Sequence, residues 1–441
     1  MKAMHWSAMA LAVSTALPQL AWAGLVDDQA EATGLLEGSH LTGLLRSYYI
    51  NRDNHNQTAD NRDWTQGLIA TYRSGFTQGT VGFGVEAYGY YGLKLDGGRA
   101  YAGTGNLPTD RNGDPEDDYG SAGASVKMRV SKTQLSYGNL QPTAPVFAVA
   151  GTRLLPQTAT GISLASSEID GLDVEAGHFT GTDSGLTSNH SHEIYALYAD
   201  VSADSADYIG GQYSITPDWV VSLYGSQFED VWRQYYTNSI YTLALPHDQS
   251  LELALNLYRT LDQGQAKAGA IDNTTYSVSA AYSFLSAHTL TLSYQKVHGD
   301  TPFDYVATGD NGNGEGGDSV LIANSVQWSD FNGPNEKSVG LRYDLDMQAY
   351  GVPGLSFMAR HMRGWDVDGT HAPATGAYAG NYGANGKHHE TDLEAQYIIQ
   401  EGPAKDLSFG LRQAFHSANA AQGEGDLSEL RLIVEYPLNI I

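Results

Sequence analysis

The chain has 441 residues, no cysteine, 24 basic and 50 acidic side chains, and a formal charge of −26. The lack of cysteine excludes a disulfide scaffold, a zinc–thiolate site and a thiol nucleophile, and the charge makes nucleic acid and anionic membrane surfaces poor partners. With 28 Tyr and 50 Gly, the composition fits a transmembrane barrel, where only alternate residues face lipid and rings gather at the two interfaces.

Residues 1–23 read as a secretory signal peptide. Lys2 precedes an apolar run over 8–20, and Ala21-Trp22-Ala23 gives a small-x-small cleavage pattern. The mature chain is expected to begin at Gly24 and, without Lys2, to carry −27. The apolar run is too short for a membrane helix and no longer uncharged run follows, which excludes an α-helical membrane protein. Residues 24–441 are expected to form one outer-membrane β-barrel domain.

From His40 onward the sequence alternates with period two in segments of roughly ten residues. The first clear case is 81–91. In 125–161, Val126, Met128 and Val130 share one face of a strand while Lys127 and Arg129 share the other, and a short strand with Leu135 and Tyr137 follows. The next stretch carries Pro142, Pro145 and Pro156, too apolar for a solvated loop and too rich in Pro for a regular strand. It is expected to fold into the barrel and narrow it, bringing Arg153 towards Lys127 and Arg129. Alternation resumes at 172–178, 194–201, 220–227, 251–258, 276–284, 290–296, 339–347, 355–363, 393–399, 407–415 and 430–438. One face of these segments carries Leu, Val, Tyr and Phe and the other Ser, Gly, Asn and Arg, the apolar-out pattern of a membrane barrel.

Connections alternate in length as well. Short turns such as Ile215-Thr216-Pro217-Asp218, Gly351-Val352-Pro353-Gly354 and Gly402-Pro403-Ala404-Lys405 contrast with long loops over 94–120, 140–170, 299–337 and 364–389. Sixteen to eighteen antiparallel strands are expected, the last closing on the first.

Strand parity points Arg342, Arg360, Arg412 and Arg431 into the lumen together with Lys127 and Arg129. One reading pairs these cations with inward carboxylates such as Asp344, Glu394 and Glu435. The other makes them a ladder that guides an anion, most Asp and Glu then lying on the long loops. Such a ladder predicts anion selectivity in the narrow pore, since distant loop charges are screened within about 8 Å at physiological salt.

Other motifs carry little. Gly312-x-Gly314-x-x-Gly317 lies in an acidic loop with no helix after it. Asp110-x-Asn112-x-Asp114 lacks the Gly and Glu of a calcium loop. His190-x-His192-Glu193 and His388-His389-Glu390 read as polar loop–strand junctions, not metal ligands. No catalytic constellation, cofactor or metal is expected.

Several segments also resemble the OprD-type substrate-specific outer-membrane porins of Gram-negative bacteria. They include Lys132-Thr133-Gln134-Leu135-Ser136-Tyr137-Gly138, Thr152-Arg153-Leu154-Leu155-Pro156, Val297-His298-Gly299-Asp300-Thr301-Pro302-Phe303, Gly317-Asp318-Ser319 and Ala323-Asn324-Ser325-Val326-Gln327. Within the family the chain looks most like the OpdK-like branch, associated with aromatic and other carboxylates, and less like the branch associated with basic amino acids. The resemblance implies an all-β transmembrane barrel of eighteen strands, an inward third loop at an eyelet and a basic ladder down the wall. It also implies that Asp318 and Ser319 meet substrate opposite the ladder.

The expected function is passive uptake of small organic anions, aromatic acids such as benzoate or vanillate among them. A surface receptor or adhesin and a barrel enzyme are the alternatives. Expected partners are these anions, outer-membrane lipid with lipopolysaccharide and the barrel assembly machinery, the barrel being a monomer or weak trimer. Its last residue, Ile441, replaces the Phe usual in outer-membrane barrels.

Overall fold

The structure is a computed structural model that describes residues 25–55, 59–191, 193–309 and 315–441. The expected signal peptide over 1–23, Gly24, His192, Gly312 and Gly314 lie outside the described residues. Eighteen antiparallel strands form one sheet. The first, His40–Asn54, pairs with Asn61–Arg73 on one side and with the last, Leu427–Asn439, on the other. The sheet therefore has no free edge, which is what a sheet crossing lipid requires.

The alternation read from sequence sorts the two faces. In Gln249–Asp262, Leu253 and Leu255 are exposed on the outside while Tyr258 is fully buried inside. Trp219, Tyr241, Tyr282, Tyr343 and Tyr397 stand exposed near the short-turn rim, the place of an interfacial aromatic belt. There His288 bonds the hydroxyls of Tyr343 at 2.6 Å and Tyr350 at 2.8 Å.

Two expectations need correcting. Residues 158–169, read as part of a long loop, form the barrel strand Thr158–Ile169, paired with Thr133–Leu140 and Leu172–Asp183. Its outward residues are few, Ile162 and Leu164, amid Thr, Ser and Ala, so its period-two signal is faint. Conversely, 194–201 is not a barrel strand. Ile194–Ala196 and Val201–Ala203 pair in a small sheet inside the loop 184–205, where both faces are covered.

Turns fix the register between strands. The two-residue connection Asp170-Gly171 places Gly171 at φ +77°, a region open to glycine at little cost, and joins Thr158–Ile169 to Leu172–Asp183. Beneath the short-turn rim the N-terminal segment tucks in: Gln29 is 3% exposed and its side-chain amide donates to the Thr77 and Gly79 carbonyls.

Candidate functional site: the pore constriction

Two long loops turn inward. In the loop 141–157, Phe147 stacks on Phe179 at 4.8 Å and on Tyr208 at 6.3 Å, and the Tyr258 hydroxyl donates to the Pro145 carbonyl at 3.0 Å. Its far end crosses to the first strand, where Arg46 donates to the carbonyls of Gly151 at 3.2 Å and Arg153 at 2.5 Å. The expected inward fold of this loop is thus present. Apolar rings at one end and carbonyls at the other explain why so Pro-rich a segment is buried: its backbone acceptors are met by a guanidinium.

The loop 299–336 packs above it. Asp304 accepts from the backbone N–H groups of Tyr198, Ala199 and Tyr305 and from the Tyr378 hydroxyl, tying three loops together. Burial pushes its carboxyl up to about 6, against the pull of these bonds. Asp330 accepts from the hydroxyls of Tyr198 and Tyr305.

Between these loops and the wall lies a cavity of about 760 Å³. Arg342, Arg360, Arg412 and Arg431 line it from the wall, as the parity reading expects, and Arg153 lines it from the loop. Arg46 lines it too, although the sequence reading passed it over. Its strand carries Tyr48 and Ile50 on the inward face, which masks the polar-in signal; both are buried beside Leu154 of the inward loop.

Carboxylates accompany the arginines on the same wall, as the pairing reading expects for Asp344 and Glu394. Arg342 makes two 2.7 Å bonds to Asp344, Arg360 one of 2.6 Å to Asp392, and Arg431 one of 2.7 Å to Glu429. Arg412 lies 3.2 Å from Glu394. Register supplies the reason. Arg342 is directly opposite Arg360, and Arg412 opposite Arg431, so like charges face each other unless carboxylates sit beside them.

The remaining site residues divide. Asp318 lines the cavity; its backbone N–H donates to Ala148, and burial pushes its carboxyl up to about 6 while the Arg153 charge pulls it back. Ser319 is fully buried behind it and does not line the cavity, because the chain alternates direction after Asp318. Lys127 and Arg129 point inward but lie outside the cavity, near the short-turn rim. Lys127 sits 3.2 Å from Glu86, and Arg129 lies over the Phe76 ring at 4.0 Å and donates to Gln29 at 3.1 Å.

The family model for outer membrane porins of the OprD family matches residues 33–440. The chain belongs to the OprD family of outer-membrane porins. It is 60% identical to Porin D of Pseudomonas aeruginosa, the match covering 100% of both chains. Its fold matches the crystal structure of Pseudomonas aeruginosa OprD with a TM-score of 0.84 and 57% identity, over 95% of this chain and 100% of that one. Pseudomonas aeruginosa OpdK, solved with vanillate, matches with a TM-score of 0.82 and 32% identity, over 92% and 100%. The identities thus lean to the Porin D side more than to OpdK. The protein is a substrate-specific porin of the outer membrane, and its relatives are channels.

Proposed function

We propose that the barrel passes small carboxylate-bearing solutes, the carboxylate moving between guanidinium groups along the wall built from residues 337–439. The observation that carries this reading is the convergence of four wall arginines, Arg46 and the loop's Arg153 on one cavity. Pairing with wall carboxylates is compatible with it, because a guanidinium has five N–H donors and one carboxylate takes up only one or two. In this reading Lys127 and Arg129 attract anions only at the short-turn rim, and Ser319 supports Asp318 from behind.

Aromatic acids such as benzoate or vanillate are one substrate class, supported by the likeness to OpdK solved with vanillate. A second class is favoured by Asp318. A carboxylate lining the same cavity as the arginines suits solutes that carry both a carboxylate and a cationic group. Uptake of benzoate, a basic amino acid and a neutral sugar of similar size by proteoliposomes tests both. Faster benzoate supports the first class and faster amino acid the second, and a sugar rate equal to both sinks the proposal.

The exposed outward leucines and aromatic belt support lipid and lipopolysaccharide as the surrounding partners, and the closing strand Leu427–Asn439 supports delivery by the barrel assembly machinery; a monomer or weak trimer is proposed with them. Export is proposed to remove residues 1–23. N-terminal sequencing of the mature protein is expected to begin at Gly24.

A further inference from the structure

Outside the pore, at the long-loop rim, two imidazoles and a carboxylate meet. His388 lies on Ala384–Ile398, His416 on the neighbouring Ser408–Ala418, and Glu424 in the loop between Ser408–Ala418 and Leu427–Asn439. His388 Nδ1 is 3.0 Å from His416 Nε2 and 3.5 Å from Glu424 Oε2, and His416 Nε2 is 3.2 Å from the same oxygen. Both histidine side chains are wholly buried, and Glu424 Oε2 has no hydrogen-bond partner despite being buried.

The outer nitrogens of the two rings decide what the inner ones can do. His388 Nε2 lies 2.5 Å from Glu336 Oε1, and His416 Nδ1 lies 2.8 Å from the Gly425 carbonyl. A carboxylate and a carbonyl only accept, so these outer nitrogens carry the hydrogens. His388 Nδ1, with the Ser329 hydroxyl at a long 3.5 Å, and His416 Nε2 are then left with lone pairs facing each other and the Glu424 oxygen. Three lone pairs within 3.5 Å repel unless a positive charge sits among them.

The geometry points to a binding site for a borderline divalent transition metal of the Zn²⁺ class, ligated by His388 Nδ1, His416 Nε2 and Glu424, with its remaining position open. Donors about 2.0–2.1 Å from one tetrahedral ion stand about 3.4 Å apart, and the three separations here bracket that value. Glu336 behind His388 and the Gly425 carbonyl behind His416 are the outer acceptors that fix ring tautomers in such sites. Two imidazoles select against Mg²⁺ and Ca²⁺, which prefer oxygen alone. Glu424 also borders a cavity of about 430 Å³ at the rim, which gives an ion a way in.

Bound metal would staple the loop 419–426 to two wall strands. Through Glu336 it would also reach the loop 299–336, whose Gln327, Trp328 and Asp330 border the pore. His389, the neighbour that suggested a tandem motif, takes no part; it packs towards His361 at 5.9 Å. Glu390 instead accepts the backbone N–H groups of Trp328 and Ser329.

The test uses untagged, chelator-stripped, full-length protein in detergent, titrated with Zn²⁺ by calorimetry and with Co²⁺ by visible absorption. One saturable equivalent is expected, with tetrahedral Co²⁺ bands and no response to Mg²⁺. His416→Ala and Glu424→Gln should each weaken binding at least tenfold and Glu336→Gln by about tenfold, the usual range for ligands and their supporting carboxylates. Glu424 is in a surface loop, so E424Q reports even if H416A fails to fold. No saturable Zn²⁺ binding, or unchanged affinity in E424Q, overturns the site and leaves a shared proton as what holds the three groups together.

Discussion

From Leu172–Asp183 round to Asp272–Phe284 the barrel's inward face is aromatic and covered, whereas from Lys337–Asp346 to Leu427–Asn439 it is charged and in part open to the cavity. On the covered side Phe179, Tyr208, Tyr224, Tyr236 and Tyr258 form one buried cluster with Phe147 and Phe303 of the inward loops. On the open side Arg342, Arg360, Arg412 and Arg431 face the cavity together with Asp344, Glu394 and Glu435. An eighteen-stranded barrel is too wide for wall side chains alone to fill. Loops fill the half whose wall offers apolar area most fully, and on the charged half they cover groups that are matched, such as Glu390 and Asp392, because burying unmatched charge costs more than leaving it wet. The pore is consequently eccentric and runs against the charged wall, so selectivity is a matter of which side chains the loops leave uncovered.

The largest way to break this contrast is to unseat the filling. Phe147 is 1% exposed, between Phe179 and Tyr208. Phe147→Ala should cost about 3–5 kcal/mol of local packing, the usual range for a buried ring. The loop 141–157 should then detach from the aromatic wall. Single-channel conductance is expected to rise severalfold and discrimination between carboxylate and neutral solutes to collapse. Unchanged conductance would mean that the Arg46 contacts hold the loop without the rings.

The charged wall is probed by Arg360→Ala and Arg412→Ala. Loss of one charge-assisted hydrogen-bonding partner is worth about 1.5–3 kcal/mol, so carboxylate uptake should fall roughly tenfold or more. Uptake of a neutral solute of similar size should change little. Lys at either place should restore only part of the rate, because a point charge lacks the planar fork. Equal losses for both solutes, with lower thermal stability, would mean that the pairs with Asp392 and Glu394 only hold the wall together.

The open side was far more legible in sequence than the covered one. On Leu355–Asp368, Ser356, Met358 and Arg360 alternate cleanly with Leu355 and Phe357, and parity alone directs Arg360 inward. On the covered side Tyr208, Tyr236 and Tyr258 also point inward, where a simple polar-in rule expects polar groups. Their reason is the loop packed upon them, a contact between residues more than a hundred positions apart. The wall carboxylates were individually visible, but only strand register shows which arginines they separate. The His388, His416 and Glu424 cluster was hidden for the same reason: its members belong to two strands and a loop, whereas the tandem His388-His389 sends its two rings to opposite faces.

A smaller effect comes from pH at Asp318, a loop carboxylate that lines the cavity beside Arg153. Burial raises the Asp318 carboxyl to about 6, so it is mostly ionised at pH 7 and mostly protonated at pH 5. Acidification over this window removes a negative charge from the constriction. Reversal potentials in a salt gradient should therefore shift towards anion preference between pH 7 and pH 5, and Asp318→Asn should show that preference at both. A shift of equal size in D318N would assign the titration to another group.

The smallest effect is expected at the two cations that share the inward parity but not the cavity. Lys127 is held by Glu86 at 3.2 Å, and Arg129 is held between the Phe76 ring and the Gln29 amide oxygen, under the N-terminal segment. Neither charge is desolvated by the inward loops, so the focusing that strengthens the constriction arginines is absent here. Lys127→Ala should change carboxylate uptake by less than about twofold, the scale set by about 0.4 kcal/mol or less for a screened charge. Arg129→Ala should leave uptake similarly intact yet loosen residues 25–32, seen as faster hydrogen exchange there, since a cation–π contact of about 0.5–2 kcal/mol is lost. A loss of uptake in K127A as large as in R412A would extend the ladder to the short-turn rim. The contrast would then lie between the two ends of the lumen and not between two sides of its wall.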